Sequence, residues 1–594
     1  MDARYTRILE KVRRPGRYIG SEINAHSKRW GEVLFRMLLA FPDIYDIGMS
    51  HLGIKSLYHI VNREKGMLCE RLFTPWTDME DELRSAKLPV VSLENGRPPV
   101  SFDILAFSLP HELNFTNVLN LLDLSGIPLR SEERQHDYPL ILAGGPASLN
   151  PEAMAPFIDM FLIGEGEEAV LDIGRRYIEL SGKGAGRHNK KELLKGFIDI
   201  PGIYVPSFYN VHYKYGRFYR LTPAVKGAPY VVKKRIIEDF DSCFYPERQI
   251  VPYIPVVHDR ISLEIMRGCP NRCNFCQASS IYHPNRLRKK ATINDLIERT
   301  KKFTGYGEVS LLSLSTANYP GIKELITELI QSFRNDGTSL SLPSLRLEDV
   351  LSDLPAIIGR VKKTGFTFAP EVGSAKMRKL INKDVDPAML LDAVKNAYDF
   401  GWKKVKLYFM VGLPCEDICD IDAIIEMVGD VCGLAKSRKR AVTLSVSPFI
   451  PKPHTPFQWV AMDKVADLRQ KLLRIKKGLA AKRVKIDTHE VEMAVVEAVL
   501  SRGDRRVADA IERAFTNGAR LDNWSESFNG PLWMDSFGEA GLDPRTYLGP
   551  MDHGAPLPWD HIDTGIPKAA FRNLYIASRE RTSSAFSPSG DSYT

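Results

Sequence analysis

The stretch ISLEIMRGCPNRCNFC (residues 261–276) is a predicted buried strand that runs directly into a loop with three cysteines. The cysteines are Cys269, Cys273 and Cys276, in C-x3-C-x2-C spacing. Cysteine thiolates hold iron–sulfur clusters, and a cubane [4Fe–4S] cluster has four irons to ligate. Three cysteines in one loop leave the fourth iron open for a substrate or cofactor, whereas a structural metal site tends to be closed. The spacing therefore favours a reactive cluster.

Zinc and disulfide chemistry are the alternatives for this loop. A structural zinc ion would need a fourth ligand, and His283 is the candidate, but zinc sites usually pair their ligands and no second pair follows at a suitable distance. The chain has only 8 cysteines in 594 residues, and its basic first residues lack the apolar stretch of a secretory signal, which is typical of a reducing compartment. The cluster remains the favoured interpretation, and we expect a cytoplasmic protein.

Strand-like and helix-like segments alternate after the cysteine loop. This alternation predicts a parallel sheet, and about six repeats predict a central partial (β/α)6 barrel with its chemistry at the carboxyl ends of the strands. The predicted strands are 261–266, 308–315, 339–345, 367–370, 404–411 and 442–447, and the predicted helices are 292–303, 321–333, 348–363, 375–381, 387–400 and 421–435. The cysteine loop follows the first of these strands, so it lies where barrel chemistry is expected.

The triplet, with aromatic Phe275 before its last cysteine, resembles the signature of the radical S-adenosylmethionine (SAM) superfamily. The resemblance implies that SAM chelates the open iron through its amino and carboxyl groups. An electron from the cluster then cleaves SAM into methionine and a 5′-deoxyadenosyl radical, which abstracts hydrogen. It also implies an electron donor such as flavodoxin or ferredoxin.

Further strand-end segments follow the radical SAM pattern in the same order. The resemblance implies that Ser315 meets the methionine part of SAM. It implies that Glu371, Gly373 and Ser374 meet the ribose or methionine part. Gly412 is implied to let the backbone approach the adenine, since glycine permits close approach. The resemblance implies no catalytic acid or base, and none is assigned.

Three further cysteines leave two interpretations open. Cys415 and Cys419 repeat the C-x3-C spacing, and Cys432 follows. The loop 447–457 resembles that of methylthiotransferase-like members, which carry a second cluster, but that cluster comes from an N-terminal cysteine triplet missing here. Because free cysteine is more often buried than ligating, we expect Cys419 and Cys432 to be small buried side chains in or beside the helix 421–435.

Residues 1–235 alternate in the same way, with glycine turns at the predicted strand ends. This pattern predicts a doubly wound, Rossmann-like domain whose ligands lie beyond the strand carboxyl ends. Its segments resemble the cobalamin-binding domain that precedes many radical SAM cores. The resemblance implies that Ser108, Gly144 and Gly145 lie at the corrin and its nucleotide tail.

The histidine loop of this domain departs from the cobalt-ligating D-x-H-x-x-G pattern. His51 is present, but Met49 stands at the aspartate position and Ile54 at the glycine position. A metal-bound histidine usually needs such a carboxylate behind it. Either cobalamin binds without a histidine ligand or the domain is a relic, and His51 is predicted to be a loop or helix-cap residue. His111 is the other histidine near the expected corrin face.

The last residues form a predicted α-rich C-terminal extension. Its first helix is predicted over 463–485, and aromatic residues such as Trp524 and Trp559 occur near arginines. Such pairs can stack bases and bind phosphate, which makes RNA a candidate substrate, although core tryptophans are the commoner outcome. The formal net charge of +8 is mild and does not by itself demand nucleic acid.

Together these features predict an α/β protein of three domains, 1–235, 250–460 and 461–594, without a membrane span. The favoured function is a radical SAM enzyme with a [4Fe–4S] cluster and SAM, and with cobalamin as carrier in methyl or group transfer. One alternative is a cobalamin-independent, methylthiotransferase-like RNA-modifying enzyme. The other is a zinc-stabilised RNA-binding scaffold. The substrate stays open.

Overall fold

The computed structural model describes residues 3–134, 137–182, 189–335, 337–341, 365–435 and 440–583. The predicted helix 348–363 and the last part of the predicted strand 339–345 lie outside them. Among the helices described, none is long and apolar enough to cross a membrane.

The N-terminal region is built on a six-stranded sheet with helices packed around it. Its strands are β1 (Phe35–Phe41), β2 (Met67–Phe73), β3 (Ile104–Ser108), β4 (Leu140–Gly144), β5 (Met160–Leu162) and β6 (Ile203–Tyr204). Its helices are α1 (Ala3–Leu9), α2 (Tyr45–Gly48), α3 (Leu52–Arg63), α4 (Thr77–Ala86), α5 (Phe115–Leu124), α6 (Gly166–Gly182) and α7 (Lys190–Lys195).

The strand order of this sheet is β2-β1-β3-β4-β5-β6, parallel except for β6, which runs antiparallel to β5. The predicted doubly wound arrangement is confirmed. The order is of the flavodoxin type, in which the winding reverses between β1 and β3. Ligands of such sheets bind beyond the carboxyl ends of the strands at this switch point.

A linking region follows the first sheet. Strands β7 (Tyr209–Lys214) and β8 (Arg217–Pro223) form an antiparallel hairpin of their own, and β9 (Val232–Lys233) pairs with a strand near the C-terminus.

The central region contains two parallel sheets, which confirms the predicted α/β core. The strands are β10 (Ile261–Glu264), β11 (Met266–Arg267), β12 (Arg286–Leu287), β13 (Glu308–Leu312), β14 (Ser339–Ser341), β15 (Phe366–Glu371), β16 (Lys404–Val411), β17 (Ala441–Pro448) and β18 (Val484–Thr488). The helices are α8 (Ala278–Ile281), α9 (Lys290–Thr304), α10 (Ile322–Ser332), α11 (Ala375–Leu380), α12 (Pro387–Asp399), α13 (Ile418–Leu434) and α14 (Val465–Gly478). The sheets are β10-β13-β14 and β15-β16-β17-β18, and β11 pairs only with β12.

The predicted helix 463–485 is wrong over its last seven residues. Helix α14 ends at Gly478, and the chain then forms β18, which pairs in parallel with β17. A further strand of the core sheet therefore lies in the segment assigned from sequence to the C-terminal extension. The alternation of Val484 and Ile486 with charged residues on this short strand is what the helix prediction overlooked.

The C-terminal residues are rich in helix, as predicted. Their elements are α15 (Val491–Arg502), α16 (Val507–Thr516), α17 (Gly530–Glu539), α18 (Arg545–Leu548), β19 (Ile562–Asp563) and α19 (Lys568–Ser583). Val499, Ile511 and Trp533 belong to the same buried cluster as the N-terminal sheet, and β19 pairs with β9. The extension therefore packs against the N-terminal region.

Candidate functional site

The cysteine loop begins at a backbone turn that only glycine fits. Gly268, between β11 and Cys269, has φ +88°, and a Cβ atom there would lie 2.7 Å from the carbonyl oxygen of Tyr282. Left-handed φ and a backbone contact of this kind exclude other residues. The glycine directly before the first cysteine was the sequence signal for this turn, and the sequence argument did not use it.

Two asparagines fasten the loop to the end of α11. The backbone N–H of Asn274 donates to the carbonyl of Ile381 at 2.9 Å, and its side-chain amide donates to the carbonyl of Leu380 at 2.7 Å. In return, the side chain of Asn382 donates to the carbonyl of Arg272 at 2.8 Å. These bonds hold the cysteine loop in one conformation, and sequence reasoning did not identify either asparagine.

The three thiols lie near enough to influence one another's ionisation. Burial raises the pKa of Cys273 to about 11, against the lowering effect of Lys383, and the thiols of Cys276 and Cys269 raise it further. Burial also raises the pKa of Cys276. Because the thiolate is the ligand form, a metal held by these thiols would have to displace their protons.

Ser315, expected at the methionine part of SAM, lies beside the cysteine loop. The side-chain amide of Asn271 donates to the Ser315 hydroxyl at 3.2 Å and lies 3.5 Å from Sγ of Cys269. The Ser315 hydroxyl in turn donates to Oδ1 of Asn318 at 2.6 Å. These bonds connect the loop after β13 to the first cysteine. Asn271 and Asn318, which make them, were not identified from the sequence.

Glu371 also lies near the cysteines. Its carboxylate accepts from Lys383 Nζ at 2.8 Å, and the charges of both residues act on the pKa of Cys273. Burial raises the pKa of Glu371, and Lys383 opposes that shift. Glu371 has φ +70°, a sparsely populated conformation for a side chain of this kind. Such strain tends to occur at functional sites.

Gly373 and Ser374, expected near SAM, lie where the start of α11 packs against α13. A Cβ atom on Gly373 would lie 2.3 Å from the backbone nitrogen of Ile424 in α13. The Ser374 hydroxyl accepts from the N–H of Met377 at 3.2 Å, which caps α11, and donates to Asp420 at 2.5 Å. Both residues shape the strand-end loop.

We expect Gly373→Ala to destabilise the protein by ~1–3 kcal/mol or more, because the added methyl group overlaps backbone that cannot move away. Gly429→Ala in α13 is the control, since its Cβ would meet only the flexible end of the Lys482 side chain, Cε at 3.7 Å and Nζ at 3.9 Å. The control should gain ~0.5–1 kcal/mol because alanine is the better helix former. Equal effects of the two changes in chemical denaturation would contradict the packing role.

Gly412, expected at the adenine, donates its backbone N–H to a side chain of the protein. The Glu416 carboxylate accepts from the N–H of Gly412 and from that of Leu413, the latter at 2.9 Å. Burial raises the pKa of Glu416 to about 7, and Lys471 opposes the shift. Gly412 has φ +88°, and a Cβ there would lie 2.6 Å from Leu468 Cδ2, so glycine is required by the turn.

Ser108, Gly144 and Gly145 lie together at the carboxyl edge of the N-terminal sheet. Ser108 pairs with Gly144 across β3 and β4, and Gly144 accepts from the N–H of Leu109 at 2.7 Å. Gly145 has φ +107°, and a Cβ there would lie 2.8 Å from the carbonyl oxygen of Leu109. The glycine pair therefore packs the strand ends. In the part of the chain described, the Ser108 hydroxyl makes no hydrogen bond.

His51 precedes α3 as its N-cap residue, as predicted, and lies by the carboxyl end of β1. Burial lowers its pKa to about 4, so the imidazole is neutral. Its Nδ1 atom is buried and has no hydrogen-bond partner within the described ranges. Asp46 is the aspartate of the same loop, and its carboxylate forms ion pairs with Arg14 at 2.8 Å and with Arg17 at 2.7 Å.

His111 belongs to a charged cluster that sequence reasoning did not find. Its Nε2 lies 3.2 Å from a Glu497 oxygen, and Lys452 Nζ lies 2.9 Å from Glu112 and 2.8 Å from Glu497. Burial lowers the pKa of His111, but Glu497 and then Glu112 outweigh it, and the net shift is upward. The cluster joins the carboxyl end of β3, the loop after β17 and helix α15.

A second set of ion pairs joins the same two edges. Arg267, which precedes Gly268, binds Glu167 at 2.7 Å, and Arg286 binds Glu165. The two glutamates follow β5 of the N-terminal sheet, whereas the arginines flank the cysteine loop. The carboxyl edges of the N-terminal sheet and of the core therefore meet, with the cysteine loop between them.

Two family models match the chain. Residues 263–428 match the model described as "Radical SAM superfamily", and residues 53–206 match "Radical SAM proteins, N-terminal"; together they span more than half of the chain. The chain belongs to the radical SAM superfamily. As a radical SAM enzyme it works with SAM and a [4Fe–4S] cluster, and reductive cleavage of SAM requires an electron donor.

The radical SAM fold extends along most of the chain. An uncharacterized protein of Methanocaldococcus jannaschii is 29% identical over 432 residues, which cover 72% of this chain and 84% of that relative. The structure of the radical SAM methyltransferase TsrM from Kitasatospora setae, with cobalamin and a [4Fe–4S] cluster bound, aligns with a TM-score of 0.50 and 12% identity. That alignment covers 85% of this chain and 100% of TsrM, and at this identity the likeness concerns the fold.

The structure also locates the three further cysteines and the two C-terminal tryptophans that the sequence singled out. Cys419 and Cys432 lie in α13, as expected, but Cys419 is exposed, so its predicted burial is wrong; Cys415 is exposed too. Trp559 is buried in a core cluster, and Trp524 donates to Asp43 at 3.1 Å beside β1. Trp559 therefore packs in the interior of the radical SAM chain, and Trp524 packs partly buried against Trp76, so neither stands as an exposed base-stacking residue.

Proposed function

We propose that this radical SAM enzyme transfers a methyl or other group with the help of cobalamin. The observation that carries the proposal is the meeting of two carboxyl edges, through Arg267 with Glu167 and Lys452 with Glu112. Parallel α/β sheets bind ligands beyond their carboxyl ends. A corrin on the N-terminal edge would therefore face SAM on the core edge.

The [4Fe–4S] cluster is proposed to be held by Cys269, Cys273 and Cys276, and SAM by Ser315 and Glu371. These two residues lie beside the cysteine loop. The other residues proposed from sequence shape the strand-end loops around SAM: Gly373, Ser374 and Gly412. The electron donor is proposed to be a flavodoxin or ferredoxin.

The residues at the N-terminal edge fit cobalamin. Among the described residues, neither the Ser108 hydroxyl nor the buried Nδ1 of His51 has a hydrogen-bond partner, so both could bond to it, and Gly144, followed by Gly145, pairs with Ser108 at the strand ends. When bound, cobalamin supplies a cobalt atom that can carry a methyl group. The TsrM fold, which was determined with cobalamin bound, supports the proposal.

The test is metal and corrinoid analysis of anaerobically reconstituted protein. We expect about four irons and four sulfides per chain, with one cobalt in a corrinoid. Ser108→Leu should lose the corrinoid and keep the iron, because it fills the proposed edge without touching the cysteine loop. Ser207→Leu, an exposed serine away from that edge, is the control. Iron and sulfide without corrinoid binding would overturn the cobalamin proposal, and zinc alone would favour the scaffold alternative.

A further inference from the structure

The β7–β8 hairpin presents an unusual surface. Every residue from Tyr213 to Arg217, and then Tyr219 and Arg220, is exposed to solvent. The hairpin forms a two-stranded sheet of its own, a unit that is only marginally stable in isolation. We call the exposed side chains of Tyr213, Lys214, Tyr215, Arg217, Tyr219 and Arg220 the hairpin surface.

Tyr215 stands at the tip of the hairpin in a conformation that its side chain disfavours. Its φ is +51°, followed by Gly216 at +70°, a pair of positive angles at which two-residue hairpins favour Asn-Gly. The side chain is 91% exposed, so packing does not account for a tyrosine there. A large aromatic residue held in a strained, solvated position points to a binding role.

The hairpin surface carries positive charge without compensation. Within the described ranges, none of Lys214, Arg217 and Arg220 forms an ion pair with a carboxylate. The sequence from 200 to 237 contains seven lysines and arginines and no acidic residue. Lys214 Nζ lies 5.3 Å from the ring centre of Tyr215 and 5.8 Å from that of Tyr219, so cations and aromatic faces alternate across the surface.

A large groove adjoins this surface and shares the strand β7 with it. Its volume is 1210 Å³, and its lining includes Tyr209, Tyr213 and Arg506 together with the carboxylates of Glu132 and Asp509. Arg506 lies 4.5 Å from the ring centre of Tyr213 and donates to the carbonyl of Gly216, which fixes the hairpin against α16. Small-molecule sites measure ~300–1,000 Å³, so this groove suits part of a polymer.

We propose that the hairpin surface and its groove bind single-stranded nucleic acid. Sites of this class combine a positive track for phosphates with aromatic faces on which bases stack, and they need no sequence-specific bonds. The unpaired cations would hold phosphates, and Tyr215 and Tyr219 would stack bases. An acidic protein segment would use the cations but would leave the strained tyrosine at the tip unexplained. This inference is independent of the proposed cobalamin chemistry.

The experiment uses the full chain and fluorescein-labelled oligouridine and oligothymidine 15-mers, read by anisotropy at several salt concentrations. Single strands release about 0.7 counterions per phosphate contact, so three contacts predict a log–log salt slope near −2. The triple variant Lys214→Ser/Arg217→Ser/Arg220→Ser should weaken binding and remove most of that slope. Tyr215→Ala/Tyr219→Ala should weaken binding about tenfold or more with the slope unchanged.

The controls match charge and exposure. Lys464→Ser/Lys476→Ser/Lys477→Ser removes three exposed lysines at and along α14, and Tyr253→Ala removes a 54% exposed tyrosine elsewhere. Both should bind as the parent does. Binding of either strand supports the proposal, and the ratio of the two affinities tells RNA from DNA. Three results would overturn the proposal. The first is that the lysine control loses as much affinity as the hairpin triple variant, and the second is that the protein binds no oligomer at about 50 mM salt. The third is that it binds polyglutamate instead of the oligomers and that this binding does not need the two tyrosines.

Crosslinking provides a second measurement that does not depend on a variant. A 15-mer oligouridine with 4-thiouridine at alternate positions should, on irradiation, attach to the peptide that contains Tyr215. Attachment confined to peptides outside 209–223 would overturn the proposal.

Discussion

The triple variant Cys269→Ala/Cys273→Ala/Cys276→Ala should lose the iron–sulfur cluster and all cleavage of SAM. Three thiolates are the whole protein contribution to a cluster that leaves its fourth iron open, and no ligand remains to assemble it. Anaerobic reconstitution should give about four irons and four sulfides per parent chain and close to none in the variant. Release of 5′-deoxyadenosine, measured by chromatography after addition of dithionite and SAM, should fall to background.

The matched control is Cys415→Ala/Cys419→Ala/Cys432→Ala, which removes the same number of thiols. Cys415 and Cys419 are exposed and Cys432 packs partly against the β15–β18 sheet core, so the variant should keep its cluster and its cleavage activity. Loss of iron in both triple variants would show that the second group also holds a cluster. Full iron content in the first variant would contradict the ligand assignment.

The second large effect is expected at the junction of the two edges. Lys452→Met should destabilise the protein by ~3–5 kcal/mol, because it takes the lysine cation away from two largely buried carboxylates, which are then left to share the single charge that His111 can carry. The side chains of Glu112 and Glu497 are 8% and 15% exposed, and both lie within 2.9 Å of Lys452 Nζ. Chemical denaturation followed by tryptophan fluorescence measures the loss.

Two comparisons separate this charge effect from a general one. Lys476→Met replaces an exposed lysine on α14 and should change stability by less than ~0.5 kcal/mol. Glu112→Gln/Glu497→Gln/Lys452→Met removes the unpaired charges and should recover part of the loss. If Lys452→Met were as stable as Lys476→Met, the ion pairs would contribute nothing to holding the two edges together.

The core of the fold and the start of the site could be predicted because their signals are local in the chain. The three cysteines lie within eight residues, and short apolar runs between helices predict the parallel strands. Strand β2 shows where this fails: Glu70 and Arg71 interrupt its apolar pattern. The structure buries Arg71 against Glu22 and Glu94, each at 2.7 Å. Those partners lie far along the chain, so the sequence pattern could not reveal a strand there.

The candidate site, like the fold, has parts that the sequence predicted and parts that it did not. The resemblance to radical SAM proteins implied roles for Ser315 and Glu371, and the structure brings both to the cysteine loop. Gly373 and Gly412 were implied to lie at SAM, and the structure shows a separate reason for glycine at each position. The reason is contact with Ile424 and Leu468, residues of helices that pack there only after folding.

The sequence by itself determined a three-cysteine cluster site and, through the resemblance of that loop, the radical SAM superfamily, since a thiolate triplet in one loop needs no partner from elsewhere to be recognised. It also determined two α/β regions, because the periodicity of their strands and helices is a property of consecutive residues. Only the tertiary structure decided that the two carboxyl edges meet around the cysteine loop. The bond between Lys452 and Glu112 joins residues 340 positions apart, and charges at such a distance in the chain become partners only when folding buries them together.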